Sequence, residues 1–404
     1  MVQFFLTEMP KLRISWSEYG RRLESLRKHM NEENMDAYLI TNGTSLFYYS
    51  HFYHMVTERP VALLVEPEGK PTFMGPRLEA DHLRRQTPLV GECLTYLDYP
   101  GETHPMKMFA DWLTEKGYNK KRIGTDNPKG AGSTMGYSGP SLDDLLREAE
   151  LVQDSQYLWD IRVCKSDEEV NLIKESVKWG NLAHSLLQEY VVPGLYDVEV
   201  QLLATLEAAR VMKKMLGKEY ETIKGKPVGA GFRGQVGEKS AMPHSIDSNR
   251  VIREGDVLVT GASADIGGYG SELERTMIVG KPTAKMEKMF NAMCKAQEAA
   301  ADALRPGNTC AEVDKAANKV LRDTGYGGLV KHHTGHGIGL LGHEPPYLDQ
   351  GNQEHLKPGM VVSLEPGIYE LGYAGFRHSD TLLVTSDGCE WLTYYPRDIE
   401  SLTI

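Results

Sequence analysis

Through the first 160 residues, short apolar runs alternate with segments whose apolar positions recur at helical spacing. AYLIT, VALLVE, PTFMG, LTYLDY and RIGTD have the length of buried strands, and turn-forming residues separate several of them. Tyr19 to Met30, a segment near Ala80, and Met106 to Lys116 carry the charge and apolar spacing of helices. This alternation predicts a small α/β domain over residues 1–160.

Beyond Asp160 the periods lengthen. In IRVCKSDEEVNLIKESVKWGNLAHSLLQEYV, Ser166 and Glu169 have the spacing of a capping box ahead of a long amphipathic helix, and Pro193-Gly194 ends it. Further helices are predicted over Asp197 to Leu216, Ala284 to Leu304 and Cys310 to Thr324, with strand pairs between them. Long helices lying on antiparallel strand pairs predict an α+β domain over residues 161–404, not a doubly wound sheet.

Composition narrows the function classes. A chain of 404 residues that is 41% hydrophobic and 25% charged can bury a sizeable core, and its formal net charge of -11 disfavours a nucleic-acid surface. The five cysteines show no metal-binding spacing, and an odd number fits a reduced, cytoplasmic setting. The opening MVQFFLTEMPKLRISW has an apolar patch too short for a signal peptide or a spanning helix, so no membrane association is expected.

Five stretches in the second half concentrate reactive side chains. They are SAMPHSIDSNR with His244, ADIGGYGSELERT with Glu272 and Glu274, HHTGHGIGLLGHEPP with His332, His333, His336 and His343, MVVSLEPGIYE with Glu365, and GFRHSDTLLVT with Arg377, His378 and Asp380. Residues two apart share one face of a strand, so Glu272 and Glu274 are expected side by side. Such a pair calls for a metal, an arginine or a cationic substrate. Alternatively, Glu274 pairs with Arg275 on an exposed edge. The glycines around His336 and His343 permit close backbone approach, whereas His332 and His333 read as structural.

In this order and spacing, GDVLVTGASADIGGYGSELERT, HTGHGIGLLGHEPP, GMVVSLEPGIYE and GFRHSDTLLVT resemble the pita-bread family of methionine aminopeptidase, prolidase and creatinase. The first 160 residues resemble the creatinase or prolidase amino-terminal domain. In the metal-dependent members two ions are held by two Asp, one His and two Glu, and the resemblance places these at Gly261, Glu272, His336, Glu365 and Ser379. Gly261 and Ser379 supply no carboxylate, so a dinuclear centre is not expected. The resemblance to creatinase, the metal-free member, implies His244 as the proton-transfer residue and Glu274 and Glu365 as the grip on a cationic substrate. His336 and His343 are also expected at the catalytic site, with Glu272 and Arg377 lining the substrate pocket. The segment HMVTERPVALLV resembles the creatinase segment whose Arg reaches the neighbouring subunit, which implies a homodimer and places that Arg at Arg59. Thr57 departs from the aromatic residue of that segment.

The expectation is therefore a metal-independent, creatinase-like hydrolase of a C–N bond in a small cationic or zwitterionic nitrogen compound, with no cofactor. Two alternatives stay open. Glu272, His336 and Glu365 could hold one divalent metal ion in an Xaa-Pro dipeptidase or a sulfonium-compound lyase, or the fold could serve a non-catalytic binding protein.

Overall fold

The structure, a computed structural model, describes residues 10–130, 136–246 and 249–404. The start of the amino-terminal stretch read for targeting signals, and Asp247 and Ser248 of the His244 loop, lie outside the described residues. Among those described, no helix is long and apolar enough to cross a membrane. The chain forms two compact units, Ile14–Arg162 and Val163–Ile404, the latter joined by residues 10–13.

The first unit is built on one sheet of β1 (Ala37–Ile40), β2 (Ala62–Val65), β3 (Thr72–Pro76), β4 (Cys93–Tyr96), β5 (Arg122–Thr125) and β6 (Glu150–Gln153), in the order β4-β3-β2-β1-β5-β6. Pairing is antiparallel between β1 and β2 and between β2 and β3, and parallel at the other junctions. Every residue of β1, β2 and β3 is buried, which is why these strands read as continuous apolar runs. The helices are α1 (Trp16–Glu32), α2 (Gly43–Ser50), α3 (Ala80–Gln86), α4 (Pro105–Glu115), α5 (Leu142–Leu145) and α6 (Ser155–Val163).

The second unit carries four long helices, α7 (Asp167–Tyr190), α8 (Asp197–Leu216), α9 (Ala284–Ala303) and α10 (Cys310–Asp323). The Ser166 and Glu169 capping box starts α7, and Thr309 with Glu312 forms another at α10. Helices α7 and α8 pack on each other and on an antiparallel pair, β7 (Val228–Gly231) and β9 (Gly261–Ala264). Strand β8 (Val257–Val259) pairs with β10 (Thr276–Ile278).

A five-stranded antiparallel sheet completes the unit. Its strands are β11 (Gly335–Gly337), β12 (Glu344–Leu348), β13 (Val361–Leu364), β16 (Asp380–Val384) and β17 (Cys389–Trp391), in the order β12-β11-β13-β16-β17. A hairpin of β14 (Gly367–Glu370) and β15 (Ala374–Arg377) follows β13. Helices on antiparallel strands make this second unit an α+β pita-bread domain, whereas the smaller first unit is α/β.

One local expectation changes. SELERT is not a regular strand: Leu273 bridges Ala262 and Glu274 bridges Ser379, each as an isolated antiparallel contact. The extended backbone still alternates, so Glu272 and Glu274 share a face while Arg275 turns into the core. There Arg275 Nη2 donates to Asp380 Oδ1 at 2.8 Å and Nη1 to Oδ2 at 3.1 Å, with both side chains fully buried. Asp380 and Arg275 thus tie the segment to β16, and Glu274 does not pair with Arg275 through its carboxylate.

Candidate active site

Three segments meet in the second unit: the extended 272–274 stretch, β11, and the carboxyl end of β13. Register sets His336 opposite Ser363, and Leu364 opposite Asp380. Glu365, immediately after β13, is fixed by its backbone N–H to Thr334 O at 2.7 Å.

The two carboxylates of SELERT have different surroundings. Glu272 Oε1 accepts from Ser379 Oγ at 2.6 Å and Ser363 Oγ at 2.9 Å, while Oε2 lies 3.9 Å from His336 Nε2. Burial raises its pKa, and repulsion from Glu365 and Glu274 adds to the rise against the pull of His336. Glu274 instead accepts from Arg377 on both oxygens, Nη2 reaching Oε1 at 2.9 Å, and from Arg233 Nη2 on Oε1.

Arg377 is held from behind. Its Nη1 donates to Tyr369 Oη at 3.1 Å and its Nη2 to Gln235 Oε1 at 3.2 Å. Tyr369 Oη in turn lies 2.7 Å from His332 Nε2, whose Nδ1 faces His333 O at 2.7 Å. His332 therefore belongs to the support of Arg377, in keeping with a structural role.

His336 is fully buried, its Nδ1 3.1 Å from Gly337 O and its Nε2 3.3 Å from Glu365 Oε1. Burial alone would lower the ring, but the bond to Glu365 and the charges of Glu272 and Glu365 push it up to about 9. Burial likewise opposes the ionisation of Glu365, yet His336 and Arg377 hold it down at about 2. His343 stacks on His336 at 3.6 Å between ring centroids, and burial followed by the His336 charge lowers its pKa.

Glu272, Glu274, Glu365, His336, His343 and Arg377 are thus brought together. His244 lies on an exposed turn, near enough for its charge to contribute to the lowering of His343. Arg59 belongs to the first unit, where it pairs with Asp98 at 2.8 Å and Glu58 at 2.9 Å. His378 is buried, its ring edge-on to Phe290. Sequence reasoning missed Ser363, Tyr369 and Arg233. Ser363 was within reach, because it stands two residues before Glu365 in VVSLEP; nothing in the pattern marked Arg233.

The donor chemistry fits one divalent ion. Glu272, His336 and His343 offer donor atoms all within 4.8 Å of one another, as do Glu272, Glu274 and Glu365. Carboxylate with imidazole is a donor set that first-row divalent metals accept. The contact of Nδ1 with Gly337 O leaves Nε2 of His336 on the side of both Glu272 and Glu365. A second ion does not fit: Gly261 and Ser379 lack the carboxylates, and Glu274 is already matched by two guanidiniums.

The model of metallopeptidase family M24 matches residues 171–386, more than half of the chain, and that of the creatinase/prolidase amino-terminal domain matches residues 22–164. The chain is 28% identical over 386 residues to an Xaa-Pro dipeptidase of Pyrococcus furiosus, covering 94% of this chain and 99% of that one. The Xaa-Pro dipeptidase structure from Bacillus anthracis superposes with a TM-score of 0.77 at 26% identity, covering 96% and 100% of the two chains. Dipeptidase PepE from Mycobacterium ulcerans superposes with a TM-score of 0.79 at 28% identity, covering 97% and 100%.

These findings overturn the expectation of a metal-independent, creatinase-like enzyme without a cofactor. The matched family is one of metallopeptidases, and these relatives are named dipeptidases. The physical source of the error is specific: Gly261 and Ser379 remove the ligands of a two-ion centre, but Glu272, His336 and their neighbours keep a donor set for one ion. With the fold, the ordered motifs and the match in agreement, the chain belongs to metallopeptidase family M24.

Proposed function

We propose that this M24 hydrolase cleaves the C–N bond of a small dipeptide-like substrate of the Xaa-Pro type, with one divalent ion held by Glu272, His336 and Glu365. The observation that carries the reading is the convergence of Glu272 Oε2 and Glu365 Oε1 on His336 Nε2, at 3.9 and 3.3 Å. The dipeptidase relatives support the substrate class.

A bound ion supplies Lewis-acid activation at this position. The chain's own residues do the rest. Ser363 and Ser379 fix the Glu272 carboxylate, and Arg377 steadies Glu365 and Glu274. His343, held toward its neutral form, has the character of a proton acceptor beside His336. His244 delivers a proton to the leaving nitrogen. In this reading the active unit is a homodimer in which Arg59 serves a substrate carboxylate in the neighbouring protomer, as the family resemblance implies.

The test is hydrolysis of Xaa-Pro and non-proline dipeptides by chelator-treated enzyme, with and without added Mn2+ or Co2+. Proline dipeptides should be cleaved only after metal is returned. Absence of cleavage of every dipeptide by metal-loaded enzyme would contradict the proposed function.

A further inference from the structure

We infer that Arg233 is a resident cation occupying the place that a second metal ion takes in two-ion relatives. The inference rests on the single-ion reading above and concerns what stands beside that ion. A β-carbon built on Gly261, the position of the missing first Asp, would meet Glu274 Oε1 at 3.6 Å, then Arg233 Nε at 3.8 Å and Cζ at 3.9 Å. The space over Gly261 is therefore lined by the Arg233 and Glu274 pair.

Three further observations agree. Arg233 is about half exposed, and among the described residues Glu274 is its one hydrogen-bonding side-chain partner. Its backbone is left-handed, with φ of 50°, a conformation costly for a residue with a β-carbon and characteristic of functional sites. Finally, two guanidiniums already stand against the three carboxylates Glu272, Glu274 and Glu365, which leaves a charge deficit suited to one divalent ion and not to two.

The experiment counts ions and does not read activity. Chelator-treated chains are titrated with Co2+ by calorimetry, with elemental analysis after gel filtration. The missing ligands are first restored by Gly261→Asp with Ser379→Glu; a β-carbon at 261 meets its neighbours only at ordinary van der Waals distances. With Arg233 kept, this chain should bind one Co2+, and with Arg233→Ala added it should bind two. Equal numbers in the two chains overturn the inference.

A second arm uses the otherwise native chain, where replacing a half-exposed residue leaves the core intact. Arg233→Ala removes a repelling charge and should tighten Co2+ binding by about tenfold. Unchanged affinity also overturns the inference. A native chain that binds no Co2+ contradicts the proposed function instead, and the comparison with and without Arg233 in the restored chain still decides this one.

Discussion

Glu272 and Glu274 stand two residues apart on one face, yet Glu272 is met by two serine hydroxyls and Glu274 by two guanidiniums. Neutral hydroxyls orient a carboxylate without cancelling its charge, so Glu272 is the one left to take an incoming cation. The shared face was legible from a period of two, because extended backbone alternates even outside a regular strand. Arg233 was not legible: its role depends on a turn in the left-handed region and on a partner 41 residues away. At this scale the proton-transfer assignment can be checked directly. His244→Ala should lower kcat by about a hundredfold to ten-thousandfold and leave KM little changed. Near-normal turnover would move the role to His343.

At the scale of elements, the helices that sequence patterns read well are those with a clear stripe and a cap. Helix α8 spans Asp197–Leu216, the residues expected, and the Ser166 and Glu169 box opens α7. Several elements escaped, α2 and β6 among them. In α2, GTSLFYYS, six of eight residues are buried, so no polar face marks a helical period. In β6, ELVQ, both end residues are exposed and polar, which leaves too short an apolar run to signal a strand. Helix α7 also buries His184, whose Nε2 lies 2.7 Å from Thr260 Oγ1. Burial, aided by the charge of Arg275, lowers this ring to about 3. Its folded pKa lies below the unfolded value, so the unfolded chain binds the extra proton and stability falls as pH drops from about 6.5 toward 3. His184→Gln should remove about one proton from that acid slope, about 1.4 kcal/mol per pH unit, in denaturant titrations at pH 6, 5 and 4. An unaltered slope would show that His184 takes its proton in the folded state.

At the scale of the whole molecule, the fold class and the family were legible because ordered motifs spread over the chain constrain the fold more strongly than any one of them. Function was less legible. The same sequence that lacks carboxylates at 261 and 379 retains Glu272, His336 and Glu365, and the balance between a missing second ion and a surviving first one depends on distances that spacing does not give. The central claim is that one ion sits among these three residues. Anomalous diffraction at the cobalt edge from crystals grown with Co2+ tests it most directly. The account predicts one peak per chain, within coordination distance of Glu272, His336 and Glu365. Two peaks per chain, or no peak there in crystals of enzyme that cleaves Xaa-Pro dipeptides, would contradict it.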